Sequence, residues 1–281
     1  MIILDSLLSL LSADFIQRAL IMSVIIAVLS SILSVFVVLK KISLIGDGLA
    51  HTAFGGLALG FFLNFLGLIS FSYAYWVAGV VVVLGSVGIT KAIRSKRIAS
   101  DAAVAVFLQL GLASAAVLVS IGHGFGIDLE SLLFGSILLV SWSQIFVALF
   151  VLAATLAVIL LFFKELAYVT FDETQARASG IRTWFFDYLI SVLAGIIIIA
   201  SIPIVGVLLI SALLVLPGLT SIQVARSFRQ TIILSPIIGL VTVVLGVLLS
   251  IVLDAEPGGA IVLTGLAILA ITLITKKIIT R

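Results

Sequence analysis

An aspartate and a histidine four residues apart, Asp47 and His51, stand inside the apolar run ISLIGDGLAHTAFGGLALGFFLNFLG. On a helix this i, i+4 spacing puts both side chains on one face. Ser43 continues that face one turn earlier. A carboxylate oxygen beside an imidazole nitrogen suits a divalent transition metal, with the neutral ring as nitrogen ligand. Two ligands do not complete a coordination shell, so water, backbone carbonyls or another helix must supply the rest. A carboxylate at membrane depth costs about 2.5–3.5 kcal/mol on insertion scales, and such residues face a pathway or a partner. The structural alternative is a pairing of Asp47 with His51, or with a Lys or Arg from elsewhere. No other apolar run offers an obvious basic partner at that depth. The neighbouring face carries Gly48, Thr52, Gly56 and Gly60, each four apart, a ladder that lets a second helix approach closely.

Two further ionisable positions are candidates. His123 lies in GHGFGIDLE beside Asp128 and Glu130, where it would collect metal at an external entrance or serve as a solvated loop residue. Asp187 lies near the start of a later apolar run, within reach of the interface or of Arg182, and reads as structural.

A third motif occupies KELAYVTFDETQARASGIRT, residues 164–183. Thr170 followed by Glu173 matches a capping box, and Asp172 and Glu173 favour a helix N-terminus. Gly180 is a natural C-terminal stop. The pattern predicts a short helix over about 171–179, too short to be stable alone. Phe171, Ala176, Ala178 and Ser179 would give it a shallow surface for a cytoplasmic protein. A helix lying on lipid headgroups would need more bulky apolar residues on one face.

These motifs need elements to hold them, and composition says which. Of the 281 residues 63% are hydrophobic and only 10% charged, too few charges to cover a soluble surface. Apolar runs long enough to span a bilayer recur throughout and are continuous rather than alternating, which excludes a β-barrel. The expected fold is all-α, one integral-membrane bundle of about nine helices. The expected spans are 16–39, 42–66, 72–90, 101–121, 138–163, 184–202, 204–222, 230–253 and 260–275, with residues 1–14 as an interfacial segment. The third and fourth spans are rich in Gly and Ala, which suits close helix packing. The seventh contains Pro217 and Gly218 and is preceded by Pro203, so a kinked or broken helix is expected there.

Fourteen of the 15 Lys and Arg fall in one set of loops: at 40–41, 91–97, 164–182, 226–229 and 276–281. The opposite loops hold Arg18 and several acids. The positive-inside rule places the first set in the cytoplasm, the N-terminus outside and the C-terminus inside. The same rule accounts for the net charge of +3 without nucleic acid. The absence of cysteine leaves only nitrogen and oxygen ligands for a metal. There is no G-x-x-x-x-G-K-[ST] phosphate loop, so the chain does not hydrolyse ATP by that route, and no H-E-x-x-H or G-x-S-x-G. An intramembrane protease is therefore disfavoured. A secondary cation transporter with Asp47 as ion or proton site remains as the alternative to an ATP-driven permease.

The stretches VVLKKISLIGDGLAHTAFGGLALG (37–60), YVTFDETQARASGI (168–181), VGVLLISALLVLPGLTS (205–221) and LDAEPGGAIVL (253–263) resemble permease subunits of the zinc, manganese and iron branch of ABC importers. The resemblance implies the all-helical fold of the larger importer permeases in the cell membrane. It implies a homodimer joined by two cytoplasmic ATPase subunits and served by an external metal-binding protein. The transported ion would be zinc or manganese, with iron also possible for the family, and no tightly bound cofactor is implied. Asp47 and His51 match the acid and histidine of the translocation path. The segment with Phe171, Asp172, Glu173, Ala176 and Gly180 matches the helix that couples to the ATPase.

Overall fold

The computed structural model describes residues 13–126, 129–136 and 140–279. The expected interfacial segment 1–14 therefore lies almost wholly outside the described residues, as does Asp128. The described chain is helical without strands: α1 (Asp14–Leu39), α2 (Ile45–Phe65), a 3-10 turn (Phe71–Tyr73), α3 (Ala74–Arg94), α4 (Ser100–Ile121), α5 (Leu129–Phe134), α6 (Trp142–Leu161), α7 (Phe163–Phe171), α8 (Glu173–Ala178), α9 (Thr183–Val205), α10 (Ile210–Leu213), α11 (Leu216–Val224), α12 (Phe228–Leu253) and α13 (Pro257–Ile279). Eight of these, the 3-10 turn being continuous with α3, are long and apolar enough to cross a membrane.

Apolar residues run all round these helices, so burial is decided by neighbours rather than by one stripe. α1 is the most enclosed and packs against α6, α9, α11 and α12. Its buried serines make this close approach possible: Ser30 and Ser31 bond back to their own helix, and Ser235 of α12 donates to the Ser31 carbonyl at 2.7 Å. α9 lies between α1 and the α2–α3 pair, and α4 covers the far side of α2. The outer faces of α4, α6 and α13 are largely exposed, as lipid-facing apolar helices are.

The seventh expected span is not one helix. Pro203 sits inside α9, which ends at Val205, and Gly206 has φ 77°. The chain then makes α10, turns, and restarts as α11 with Pro217 in its first turn, where no backbone donor is needed. The freed backbone groups find partners outside the helix. Ser136 N–H donates to the Pro203 carbonyl at 2.9 Å, and Val207 and Leu208 N–H donate to Leu132 and Leu133 carbonyls at 3.1 Å each. The short α5 thus satisfies the break, as irregular backbone in a bilayer requires. This junction lies one length of α9 from Thr183. Phe228, where α12 begins, meets Phe36 and Phe171 edge to face at the Thr183 end. The segment 206–228 therefore runs the full height of the bundle in two short helices.

The α1–α2 connection is tight. Ile42 N–H reaches the Val37 carbonyl at 3.1 Å and Lys41 N–H the Val38 carbonyl at 3.0 Å, with Lys41 at φ 58°. This paired pattern is a Schellman closure, with Lys41 in place of the usual glycine. It carries the chain from α1 into the helix that bears Asp47 within five residues.

Candidate functional site

α2 begins at Ile45, three residues later than the expected span, so Asp47 stands in its first turn and His51 in its second. The carboxylate is thus near the positive end of the helix dipole, which favours its charge. Both side chains are half-buried. His51 Nδ1 is buried and has no hydrogen-bond partner. Among the described residues no Lys or Arg pairs with Asp47. Nor do three His, Cys, Asp or Glu side chains cluster anywhere among them. The chain therefore offers one carboxylate and one imidazole on one helix face, and an unmet nitrogen at membrane depth.

The backbone carrying these two groups is held from three directions. The Gly48–Gly60 ladder faces α3 across most of its length. A Cβ at Gly60 would lie 2.6 Å from the Ala74 Cα, one at Gly56 2.8 Å from the Ala78 Cα, and one at Gly85 2.6 Å from Thr52 Cγ2. α4 closes the other side, where a Cβ at Gly55 would lie 2.8 Å from the Gly111 carbonyl and one at Gly111 would collide with the His51 carbonyl. α10 of the broken crossing meets α2 beside Asp47: a Cβ at Gly46 would lie 3.2 Å from Ser211 Cβ. Ser211 was not singled out by its sequence; only the folded break brings it here.

At the opposite end of α2, His123 is exposed with φ 51° in the turn after α4. The structure does not bring it to an acidic partner among the described residues. The neighbouring Phe125 packs instead into an aromatic group, with ring centroids 6.4 Å from Phe61, 6.4 Å from Phe62 and 6.2 Å from Phe65. A cavity lined by Phe61, Asn64, Phe65, Phe71, Gly122, Phe125 and Gly126 opens there.

The segment 163–181 departs from its predicted form. Two helices meet at Asp172. Phe171 ends α7, and Asp172 is the N-cap of α8, its carboxylate accepting from Gln175 N–H at 2.9 Å. The Thr170–Glu173 capping box does not form. Thr170 Oγ1 is committed to the Leu166 carbonyl at 2.6 Å, inside α7, because Leu166, Val169 and Thr170 face the core and extend that helix. Glu173 instead accepts from Arg177 and from Thr183 Oγ1, the latter at 3.2 Å. Gly180 does close the helix: its N–H bonds the Arg177 carbonyl at 3.1 Å, Ile181 N–H bonds Ala176 at 3.0 Å, and its φ is 84°. Ala176 is fully buried, so it anchors α8 to the bundle and is not part of any outward face. The exposed side of α8 carries Glu173, Thr174, Gln175, Arg177 and Ala178. Phe171 is also exposed, with its ring 5.2 Å from Phe228.

Asp187 does not pair with Arg182. Its carboxylate accepts from Lys40 Nζ at 2.6 Å and from Arg94 Nη1, and the Asp187 side chain is only 14% exposed. The same Arg94 nitrogen lies 3.8 Å from Glu173 Oε1. Three helix ends and α8 meet in one charge network that sequence reasoning missed. With 14 basic residues in the loops of one face, nothing local singles out Lys40 and Arg94 as the partners.

Residues 12–276 match the profile of the ABC 3 transport family. The chain is 32% identical over 261 residues to the manganese import system permease protein ScaB of Streptococcus gordonii, covering 92% of this chain and 90% of that one. It is 31% identical to the chelated iron transport system membrane protein YfeD of Yersinia pestis, covering 94% and 86%. Among solved structures, a chain of PsaBC from Streptococcus pneumoniae in complex with Fab aligns with a TM-score of 0.83 at 31% identity, covering 96% of this chain and 95% of that one.

Proposed function

The chain belongs to the ABC 3 transport family, and from that premise we propose that it is the membrane permease of an ATP-driven importer that carries a divalent transition metal inward past Asp47 and His51. The observation that carries this reading is the buried Nδ1 of His51, without a hydrogen-bond partner, one turn from a carboxylate with which no Lys or Arg pairs among the described residues. Carboxylate and imidazole together accept manganese, iron and zinc, with availability and geometry deciding among them in the cell. The names of the relatives favour manganese, then iron. A chain that supplies two ligands suits a homodimer, in which a two-fold axis brings a second, identical pair to the same path.

Two ATPase subunits on the cytoplasmic side provide the energy, since this chain has no phosphate-binding loop. They dock on the exposed side of α8 and on Phe171. An external metal-binding protein delivers the ion near the α2–α3 and α4–α5 connections. The chain lies in the cell membrane with its N-terminus outside and its C-terminus in the cytoplasm, where most of its basic residues fall. An ion-driven transporter using Asp47 as a proton site is not favoured, because it has no use for a capped α8 with an exposed cytoplasmic face.

The test is metal uptake by cells or vesicles carrying the complex. Asp47→Asn and His51→Ala are each expected to abolish ATP-dependent manganese uptake while insertion and assembly with the ATPase persist. Wild-type uptake by both variants would refute the ligand assignment.

A further inference from the structure

We propose that Asp187 and Arg94 are positioning residues that transmit the motion of α8 to the metal-bearing helix, through the chain Glu173–Arg94–Asp187–Lys40. The proposal rests on the reading of α8 as the ATPase-docking element.

The connections are short and specific. Glu173, on α8, lies 3.8 Å from Arg94 at the C-terminal end of α3 and accepts a hydrogen bond from Thr183 at the start of α9. Arg94 bonds Asp187 in the first turns of α9, and Asp187 in turn holds Lys40 at 2.6 Å. Lys40 caps α1 and opens the Schellman turn into α2, with Asp47 only seven residues further on. Side chains of Lys40, Asp187 and Arg94 are 10%, 14% and 27% exposed, so water screens these contacts far less than it screens surface pairs. Two cations on one carboxylate also fix each other's place. Removing that carboxylate leaves Lys40 partly buried without its partner and Arg94 with only the 3.8 Å contact to Glu173.

By contrast, the covalent route from α8 to Asp47 runs back through α7, α6, α5, α4 and α3. Apolar contacts alone let helices slide; charged side chains in a defined hydrogen-bonded geometry resist it. Without the network, α8 would move with the ATPase while the α1–α2 turn lags. Hydrolysis would then continue and metal would not follow.

The first measurement uses the permease reconstituted with its ATPase and the external binding protein, recording both ATP hydrolysed and manganese imported. Asp187→Asn and Arg94→Gln are expected to keep hydrolysis while metal imported per ATP falls about tenfold, the scale of a typical coupling between sites. Asp187→Glu, which keeps the charge, restores most of the ratio. An unchanged ratio in both variants overturns the proposal, as does a parallel loss of hydrolysis and import, which marks a merely structural role. Should Asp187→Asn fail to assemble, Lys40→Gln, at the α1 end of the network and away from the docking face of α8, gives the same reading.

The second measurement is independent of the ATPase. The chain contains no cysteine, so Thr174→Cys and Leu44→Cys accept spin labels at two exposed positions, one on α8 and one at the head of α2. The distance distribution is expected to be narrow in the background chain, broad with Asp187→Asn and narrow again with Asp187→Glu. Identical distributions overturn the linkage even if the complex transports. Import without ATP by the wild type, with the distributions behaving as stated, overturns the ATPase reading instead.

Discussion

Gly111 of α4 lies against the backbone carbonyl of His51, so close that a Cβ at position 111 would collide with that oxygen and lie 2.7 Å from Thr52 N. Two helices here touch backbone to backbone at the residue whose ring nitrogen has no partner. The contact fixes the height and rotation of α2, and with them the aim of His51 and Asp47. In a bilayer, where burial of apolar surface does little to hold helices together, such close contact is the main source of association.

Gly111→Ala is therefore expected to force α2 and α4 apart and destabilise the bundle by about 1–3 kcal/mol, the usual scale for overpacking. Gly79→Ala is the control, because a Cβ there meets nothing within 4 Å. It should leave the unfolding temperature in detergent unchanged or slightly raised. Manganese uptake should fall with Gly111→Ala and not with Gly79→Ala. Equal behaviour of the two variants would show that the α2–α4 contact is not a constraint.

The charge network predicts a pH response on α8. Partial burial raises the pKa of the Glu173 carboxyl, but hydrogen bonds from Arg177 and Thr183 and the charges of Lys40 and Arg177 outweigh it, and the net shift is downward. A folded pKa below the unfolded one stabilises at all pH above the ordinary carboxylate range, and that contribution disappears as pH falls through the lowered value. With Glu173 45% exposed, the effect is screened and stays local. Amide protection of residues 173–178, corrected for intrinsic exchange, should stay flat from neutral pH into the carboxylate range and drop only below it. In Glu173→Gln the low-pH drop should be absent. A drop in the wild type that begins near neutrality would point to another titrating group.

Topology reporters give a third check. Fusions after Arg97, Arg182 and Arg229 are expected to report cytoplasm, and fusions at Gly126 and Gly258 the outside. In the fold Gly258 packs against the backbone of Val205 and Phe134, one length of α9 away from Asp187. A cytoplasmic signal at Gly126 would invert the assignment of the two ends.

What the sequence made legible depended on the range of the interaction. The Gly48–Gly60 ladder and the Asp47–His51 pair are local periodicities, and α2 displays both. Gly180 was legible because a positive φ demands a particular residue. The cap of α8 was misplaced for a local reason too: T-x-x-E and D-x-x-Q overlap in the same stretch, and core packing of Leu166 and Val169 extended α7 past Thr170. The break in the seventh crossing was legible too, from Pro203, Pro217 and Gly218, but what satisfies it was not. Only α5, supplying carbonyls and a donor from about 70 residues earlier, lets Pro203 and Gly206 break it. The Lys40–Asp187 pair spans 147 residues, and no pattern in either neighbourhood announces it.

The last prediction separates backbone strain from contact at the end of α8. Gly180 has φ 84°, and a Cβ placed there meets nothing within 4 Å. Any penalty for substituting it is therefore conformational. A β-branched residue resists the left-handed region most strongly, whereas asparagine tolerates it. Gly180→Val is expected to cost about 1–2 kcal/mol or more in the closed form of this turn. The chain can relieve that strain by breaking the hydrogen bonds from Gly180 and Ile181 N–H to Arg177 and Ala176. That would tilt α8 about its buried anchor, Ala176, and turn away the exposed face on which the ATPase is proposed to dock. Gly180→Asn should keep the turn. In the reconstituted complex, binding-protein-stimulated ATP hydrolysis and transport should be lost in Gly180→Val and nearly normal in Gly180→Asn, with manganese binding by the permease retained in both. If both variants transport normally, the turn at Gly180 does not set the pose of α8. If both fail alike, the exposed surface around Gly180, rather than its backbone conformation, is what the ATPase contacts.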